Sequence, residues 1–230
     1  MNDTELSEQA FKWLKSNQKA LIEKFAGATE YVSDVHPTTL FMAGSPGAGK
    51  TEISKRFISR FEQKPIRIDA DEIRTICPGY TGKNSHVFQK AATKGVHILY
   101  EYALKKNINV ILDGTFAYAG ALENIQRSLD HGRKVEIFFV YQHPQQAWDF
   151  TQKREAIEHR KVSKEVFINS FLKSRINVNK AKAHFGSKIE LNLFVKDFEK
   201  DLEQLELDVD DIDPYIKQLY TDDQLEKLLL

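Results

Sequence analysis

The stretch TTLFMAGSPGAGKT, residues 38–51, decides the fold of this chain. Its first part, residues 38–43, is a short apolar run of β-prone residues, and residues 44–51 match the phosphate-loop pattern G-x-x-x-x-G-K-[ST] at every fixed position. The glycines allow the backbone to curl, so that successive N–H groups form an anion-binding nest at the start of the next helix. A chance glycine-rich turn is the alternative, but a full match between a strand and a helix favours a nucleoside triphosphate site.

The loop and the residue after it are expected to bind the nucleotide: Gly44, Ser45, Pro46, Gly47, Ala48, Gly49, Lys50, Thr51 and Glu52. Lys50 is expected to reach the β- and γ-phosphates and so to take part in catalysis, and the Thr51 hydroxyl is expected to hold Mg²⁺. A GTP-binding chain would carry an Asn-Lys-x-Asp motif after a later strand, whereas here the strand that ends in VYQ is followed by His143 and Pro144. ATP is therefore the predicted nucleotide.

Strands alternate with helices along the chain, which is typical of a parallel sheet between two helical layers. Apolar, β-prone runs predict five strands, at residues 38–43, 66–69, 108–113, 134–142 and 189–195. Helical patterns predict helices at residues 4–26, 50–62, 85–106, 120–131 and 144–183, the last of them broken near residues 159–162. The predicted fold is α/β: a three-layer P-loop NTPase of the nucleotide-kinase type with a mostly parallel five-stranded sheet.

The chain divides into three predicted parts. Residues 1–37 form an N-terminal helix and connector, residues 38–196 form the P-loop kinase core with a lid near residues 154–163, and residues 197–230 form an acidic helical extension. The extension holds 12 acidic and 3 basic side chains, whereas residues 151–188 hold 10 basic and 3 acidic ones. The extension either covers the basic lid region as a self-inhibitory element or is a helical addition without that role, and we favour the second.

The bulk composition indicates a soluble protein with one sizeable domain. The chain has 230 residues, 41% hydrophobic and 29% charged, with a net charge of zero. No apolar run is long enough to span a membrane. The single cysteine, Cys77, and an N-terminus without the layout of a secretory signal predict a reducing, cytoplasmic location. Zero net charge without a broad aromatic and basic stripe argues against a nucleic-acid partner.

Acidic side chains mark the ends of two predicted strands. Asp69 closes the strand IRID, Asp71 and Glu72 follow it, and Asp113 closes the strand INVILD. Because ligands bind at the carboxyl ends of such strands, these acids are expected to line the site. Asp71 is expected to be the general base, and an acid in a helix's first turn is the alternative. Asp69 and Asp113 are expected to hold the metal with Thr51, a simple Asp-Gly turn being the alternative for Asp113, and Glu72 is expected to be solvated.

The segment QQAWDFTQKREAIEHRKVSKEVF carries Arg154 and Arg160 beside a helix break, with Ser163 as the expected N-cap of the second helix. A kinase needs cations that neutralise the moving phosphoryl group and a lid that excludes water. Arginines suit this role because a planar guanidinium binds phosphate through two hydrogen bonds. The alternative is that Arg154 and Arg160 belong, with Lys153 and Lys161, to a solvated basic face.

Several stretches form a set: FMAGSPGAGKT, IDADEIR, CPGY, ALKKNINVILDGTF and VYQHPQQAWDFTQKRE. Over about residues 38–195 this set resembles the zeta toxin family. Its members are P-loop kinases of bacterial toxin–antitoxin modules, and the best-known members phosphorylate the sugar 3′-hydroxyl of UDP-N-acetylglucosamine. The resemblance implies a small-molecule acceptor, most simply a UDP-sugar, with ATP and Mg²⁺ as cofactors and an antitoxin protein as a partner.

The resemblance also implies roles for individual residues. The lysine of the family's phosphate loop falls on Lys50. The family's general base, which also contacts the acceptor, falls on Asp71. The two lid arginines of the family fall on Arg154 and Arg160. These roles agree with those expected from the motifs themselves.

Three departures from the family pattern concern the acceptor. Members of the family usually carry Glu followed by Gly-Thr after their third strand. In this chain the acid is Asp113 and Thr115 completes the turn, and Asp113 and Thr115 are expected to bind substrate. A substrate-contacting acid of the family falls on His97, whose alternative is an ordinary helix residue. The segment between the lid arginines is shorter than in the best-known members. A nucleotide, NAD or a nucleic-acid end therefore stays open as an acceptor, and a nucleotide-gated protein-binding module is the non-enzymatic alternative.

Overall fold

The computed structural model describes residues 2–158, 161–197 and 202–229. Within these residues six strands form one sheet in the order β2-β3-β1-β4-β5-β6. The strands are β1 (Thr38–Ala43), β2 (Ile66–Asp69), β3 (Val110–Asp113), β4 (Lys134–Gln142), β5 (Glu190–Asp197) and β6 (Leu202–Glu206). Strands β1 to β5 run parallel, as predicted, and β6 pairs antiparallel with β5. The predicted count of five is corrected to six in the described chain, because a segment predicted as helical supplies β6.

The described residues also hold nine α-helices. They are α1 (Asp3–Ser16), α2 (Gln18–Ala26), α3 (Lys50–Phe57), α4 (Ala70–Thr75), α5 (Gln89–Lys105), α6 (Ala121–Asp130), α7 (Pro144–Glu158), α8 (Lys164–Phe185) and α9 (Asp222–Leu228). The single helix predicted at residues 4–26 is two helices that meet at Asn17. The Asn17 Nδ2 donates to the carbonyl oxygen of Trp13 at 2.7 Å, and such side-chain bonds compete with the helical ladder. None of these helices is long and apolar enough to cross a membrane.

Helices cover both faces of the sheet, which gives the predicted three layers. The larger core joins Phe41 of β1 and Ile68 of β2 to apolar side chains of α1, α2, α5, α6 and α8. The smaller core, on the opposite face, joins Leu40 of β1 and Ile111 of β3 to Ile53 of α3. Both faces of the central strands are therefore buried, as the continuous apolar runs of the sequence predict.

The strand order brings three carboxyl ends together at one edge of the sheet. Strand β3 lies between β1 and β2, and Asp69 of β2 is in register with Asp113 of β3. Since Ile66 and Ile68 enter the larger core, the alternating residues Arg67 and Asp69 lie on the face that α3 covers. The phosphate loop after β1 thus lies beside the acids that close β2 and β3.

The extension packs against α7 and α8, the helices on either side of the predicted lid. The carboxylate of Asp208 pairs with Lys182 at 2.6 Å, and that of Asp213 pairs with Arg175 at 2.6 Å. Farther along, Leu225 of α9 joins a core with α7 and α8. The acidic extension and the basic helix α8 therefore face each other. In its described residues the extension holds the strand β6, a short 3₁₀ helix (Asp213–Tyr215) and the helix α9, so its predicted helical character is correct for part of its length.

Candidate active site

The phosphate loop connects β1 to α3 and needs glycine at three positions. Gly44, Gly47 and Gly49 have φ angles of 128°, 73° and 90°, which residues with a Cβ rarely adopt. A Cβ on Gly47 would also lie 1.9 Å from the carbonyl oxygen of Ala147. Glycine is therefore required both for the curl of the loop and for its close contact with α7.

Lys50 is the first residue of α3, directly after the loop. Its side chain is buried, and Nζ donates a hydrogen bond to the carbonyl oxygen of Ser45 at 2.6 Å. The ammonium group is thus held against the loop, at the end of the helix where anions are stabilised.

A cleft of about 320 Å³ opens above the loop. Most of the predicted site residues line it together: Pro46, Gly47, Gly49, Lys50, Thr51, Glu52, Asp69, Asp71, Asp113, Thr115 and Arg154. Gly44, Ser45 and Ala48 are buried within the loop and do not line the cleft. A single cavity therefore joins the phosphate loop to the acids of two strand ends and to one lid arginine.

The candidate base Asp71 lies in the first turn of α4 and is partnered by an arginine three residues later. Arg74 Nη1 donates to Asp71 Oδ1, and Arg74 Nη2 donates to Gln89 of α5. Burial of Arg74 lowers its pKa, while the Asp71 side chain stays 32% exposed. No sequence motif identifies Arg74, although its i+3 spacing from Asp71 is a signal that a helix would bring the two together.

The other two acids are linked by Arg67, which the motif analysis also missed. Arg67 Nη2 donates to Asp69 Oδ2 at 2.7 Å and to Asp113 Oδ2 at 2.6 Å. Arg67 Nη1 donates to Glu72 at 2.5 Å, so Glu72, whose side chain is 47% exposed, is solvated as predicted and is ion-paired as well. The signal in the sequence is its position two residues before Asp69, which places both on one face of β2.

The carboxylate of Asp69 accepts hydrogen bonds on both of its oxygens. Its Oδ1 accepts a hydrogen bond from the backbone N–H of Asp71 at 2.8 Å, which caps α4. Its Oδ2 accepts from Arg67. Burial and the neighbouring carboxylate of Asp113 raise the pKa of Asp69 despite the arginine. The cap fixes the position of Asp71 relative to the end of β2.

The donor set fits Mg²⁺ that arrives with a nucleotide. Among the described residues no group of three or more His, Cys, Asp or Glu side chains could hold a metal ion alone. Mg²⁺, however, usually binds through one or two carboxylates plus phosphate oxygens and water. Thr51, Asp69 and Asp113 border the cleft, and the hydrogen bonds that Asp113 accepts within the described chain fall on Oδ2.

A buried lysine at the end of β5 adds a cation that the motif analysis missed. Lys196 lines the cleft, and its Nζ donates to Glu52 Oε2 at 3.1 Å. That hydrogen bond and the lysine's charge lower the pKa of Glu52. A Cβ added to Gly49 would lie 2.8 Å from Lys196 Nζ, so this ammonium lies against the phosphate loop. Its position at a strand's carboxyl end is the signal that could have identified it.

Helix α7 forms one wall of the cleft. Phe150, Lys153, Arg154 and Ile157 line it, and their spacing of three and four residues puts them on one helical face. The predicted lid arginine Arg154 is therefore at the cleft. The second predicted lid arginine, Arg160, lies outside the described residues.

The break between α7 and α8 is where the sequence predicts it. Helix α8 begins after Ser163, whose Oγ accepts a hydrogen bond from the backbone N–H of Val166 at 3.3 Å. Ser163 is thus the N-cap that was expected from its position before the second helical pattern.

His97 lies apart from the other predicted site residues. It is exposed on α5 and does not line the cleft. Burial and the positive charges of Arg127 and Lys94 lower its pKa. The structure thus brings the predicted substrate contact His97 to the surface beside α6, and it takes no part in the function proposed below.

A family model supplies the decisive comparison. The model described as Zeta toxin matches residues 22–201 of this chain. The chain belongs to the zeta toxin family. This match confirms the resemblance predicted from the motifs and includes the phosphate loop, the acids of β2 and β3, and the lid. The zeta toxin family member described here is accordingly an ATP-dependent kinase.

Solved structures share the fold of this zeta toxin family member. A chain from the PezAT chromosomal toxin–antitoxin system of Streptococcus pneumoniae is similar with a TM-score of 0.67 and 16% identity, covering 94% of this chain and 87% of that chain. The AvrRxo1-ORF1:AvrRxo1-ORF2 complex with sulphate ions gives a TM-score of 0.61 and 16% identity, covering 98% and 72%. The same complex with ATP gives 0.61 and 16%, covering 98% and 71%. No curated protein sequence matches this chain.

Proposed function

We propose that this zeta toxin family kinase transfers the γ-phosphoryl group of ATP to the sugar 3′-hydroxyl of UDP-N-acetylglucosamine or of a closely related UDP-sugar. The observation that carries the proposal is the single cleft lined by the phosphate loop, Asp71 and Arg154. A phosphate-binding loop, a proton acceptor and a cation around one cavity are the parts that phosphoryl transfer requires.

Asp71 is the proposed general base. Its carboxylate takes the proton of the acceptor hydroxyl as the hydroxyl oxygen attacks the γ-phosphorus. A new oxygen–phosphorus bond forms, the bond from the γ-phosphorus to the bridging oxygen breaks, and ADP leaves. The hydrogen bond from Arg74 and the cap that Asp69 provides to α4 orient the base for this step.

Lys50 and Arg154 are the proposed phosphate-neutralising groups. Lys50 lies at the start of α3, where β- and γ-phosphates would bind, and Arg154 lines the same cleft from α7. Thr51, Asp69 and Asp113 would hold Mg²⁺, which when bound neutralises charge on the phosphate oxygens. Because charge spreads over the phosphoryl oxygens in the transition state, cations fixed within the cleft lower the barrier.

The family supports two further parts of the proposal. Thr115 borders the cleft beside Asp113 and is the proposed hydrogen-bonding group for the acceptor. An antitoxin protein is the proposed macromolecular partner, since the similar PezAT chain comes from a toxin–antitoxin system. Such a partner would keep the kinase inactive until it is released.

The proposal is tested by product analysis. The protein is incubated with ATP and Mg²⁺ and, in parallel, with UDP-N-acetylglucosamine, a second UDP-sugar, NAD and an RNA oligomer, and products are identified by mass spectrometry. We expect a UDP-sugar to gain one phosphoryl group with the wild type but not with Lys50→Met. The matched control is Lys55→Met, an exposed lysine on the same helix, which is expected to behave like the wild type. ATP binding without product from any acceptor would contradict the proposal and favour a nucleotide-gated binding module.

A further inference from the structure

Arg67 occupies the centre of the acidic cluster without lining the cleft. Its side chain is 9% exposed, and it lies on β2 facing α3. Nη1 donates to Glu72, Nη2 donates to both Asp69 and Asp113, and Nε lies 3.0 Å from Asp113 Oδ2. The guanidinium therefore contacts three carboxylates at once, and all three of its nitrogens are engaged.

A fourth group completes the arrangement. Ser54 of α3 donates to Asp113 Oδ2 at 2.8 Å and accepts from Arg67 Nε at 3.1 Å. The helix that follows the phosphate loop is thus tied through Ser54 and Arg67 to the ends of β2 and β3. Burial alone would lower the pKa of Arg67, but the charges of Asp113 and Asp69 together raise it, so this cation is permanent.

The charge balance of the cluster follows from these contacts. Asp69, Asp113 and Glu72 carry three negative charges when ionised, and Arg67 supplies one positive charge within hydrogen-bond distance of each. Coulomb attraction at such distances is strong when the groups are buried, so a second cation meets a cluster already partly neutralised. The Oδ2 atoms of both aspartates, moreover, are occupied by the guanidinium.

We infer that Arg67 is a positioning residue that acts as the cluster's own cation. It holds Asp69 and Asp113 in place before nucleotide arrives and competes with a free divalent ion for their Oδ2 atoms. The cleft therefore binds a free divalent cation weakly and takes its metal together with ATP. This inference rests on the proposed function, in which Asp69 and Asp113 hold Mg²⁺.

The test measures binding of Mn²⁺ alone, without nucleotide or acceptor, by the electron paramagnetic resonance signal of the unbound ion. We expect Arg67→Gln to bind Mn²⁺ about tenfold or more tightly than the wild type, because it exposes two carboxylates and removes a competing charge. Arg67→Lys keeps the charge and is expected to stay close to the wild type. The matched control, Arg127→Gln, removes another arginine–carboxylate pair away from the cleft and is expected to leave Mn²⁺ binding unchanged.

A second variant guards against a folding defect in Arg67→Gln. The double change Arg67→Gln and Glu72→Gln removes one positive and one negative charge, so the formal charge of the cluster stays the same. If circular dichroism indicates that the single variant is unfolded, the Mn²⁺ affinity of the double variant is compared with that of the wild type instead. We expect the double variant to bind Mn²⁺ more tightly than the wild type. Folded variants that bind Mn²⁺ no more tightly than the wild type would overturn the inference. Because no acceptor is present, this outcome is independent of whether UDP-sugars are phosphorylated.

Discussion

Two buried arginines determine how the acids of the cleft are held. Arg74 donates to Asp71, and Arg67 donates to Asp69 and Asp113. Removing a guanidinium from water is unfavourable, so each arginine is stable in its position only because carboxylates lie beside it. The same contacts fix the carboxylates before any ligand binds, and preorganisation of this kind spares the reaction a reorganisation cost.

The buried thiol of Cys77 is expected to react slowly in the folded protein. It follows the helix that carries Asp71, its exposure is 4%, and burial raises the pKa of its thiol to about 11. At pH 8 the thiolate fraction is then about 100-fold below that of a thiol with an ordinary pKa. We expect a disulfide reagent such as dithionitrobenzoate to react at least about 100-fold more slowly with the folded protein than with the urea-unfolded chain.

The pH dependence of that reaction tests whether the pKa of the Cys77 thiol is raised. Because burial disfavours the thiolate, the rate in the folded protein is expected to keep rising, by about tenfold for each pH unit, between pH 8 and pH 10. The unfolded chain, measured in parallel, is the control. A folded-state rate that levels off near pH 9 would contradict a raised pKa.

The residues of the cleft could be predicted from the sequence only where a motif fixes their position. The phosphate-loop pattern determines Lys50 and Thr51, and the end of a strand determines Asp71. Arg67 and Lys196 carry weaker signals, which are their positions two residues before Asp69 and at the carboxyl end of β5, and neither signal gives a role until the sheet order is known. Asp113, a partner of Arg67, and Glu52, a partner of Lys196, lie on other elements of the fold.

Among the elements of the fold, α7 and α8 are joined to the extension by an apolar cluster. Leu225 of α9 is fully buried with Ala147 of α7 and with Phe167 and Phe171 of α8. The backbone carbonyl of Glu226 also accepts a hydrogen bond from Lys164 Nζ at 3.1 Å. The extension therefore supports the end of α8 that follows the lid break.

Truncating Leu225 tests this support. Leu225→Ala is expected to lower the free energy of unfolding by about 2–5 kcal/mol, because it removes buried methyl groups and leaves a cavity between three helices. The measurement is urea denaturation followed by circular dichroism. Leu219→Ala, at a leucine that is 46% exposed in the same extension, is the matched control and is expected to change stability by less than about 0.5 kcal/mol. Equal effects of the two variants would mean that α9 is not packed on the lid helices.

The type of an element could be predicted from the sequence where the hydrophobic pattern is strong. The prediction failed where tertiary contacts determine whether a segment is a helix or a strand. Strands β1, β3 and β4 contain continuous apolar runs, which are typical of buried strands, whereas β2 follows from the alternation of Ile66 and Ile68 with polar residues. The segment LEQLE of β6 has no such run and alternates poorly, and it becomes a strand because β5 offers it an open edge. The break at Asn17 likewise depends on a local hydrogen bond that periodicity does not reveal.

The molecule as a whole has a net charge of zero, and it contains an acidic extension and a basic helix α8 that pair with each other. The chain is neutral overall, yet Asp208 and Asp213 of the acidic extension pair with Lys182 and Arg175 of the basic helix α8. These pairs lie on the extension side of α8, whereas Arg154 on α7 remains at the cleft. In the described part of the chain, the extension thus neutralises two cations of α8 without lining the cleft.

In the proposed mechanism the sheet order assembles a phosphoryl-transfer site in which Asp71 is the general base. The measurement that tests it most directly is the single-turnover rate of phosphoryl transfer from ATP to UDP-N-acetylglucosamine, compared between the wild type, Asp71→Asn and the control Asp130→Asn. Asp130 is an exposed acid on α6, away from the cleft. We predict that Asp71→Asn lowers the rate by about 10²–10⁴-fold with ATP affinity unchanged, while Asp130→Asn transfers at the wild-type rate. Transfer at the wild-type rate by Asp71→Asn would contradict the account.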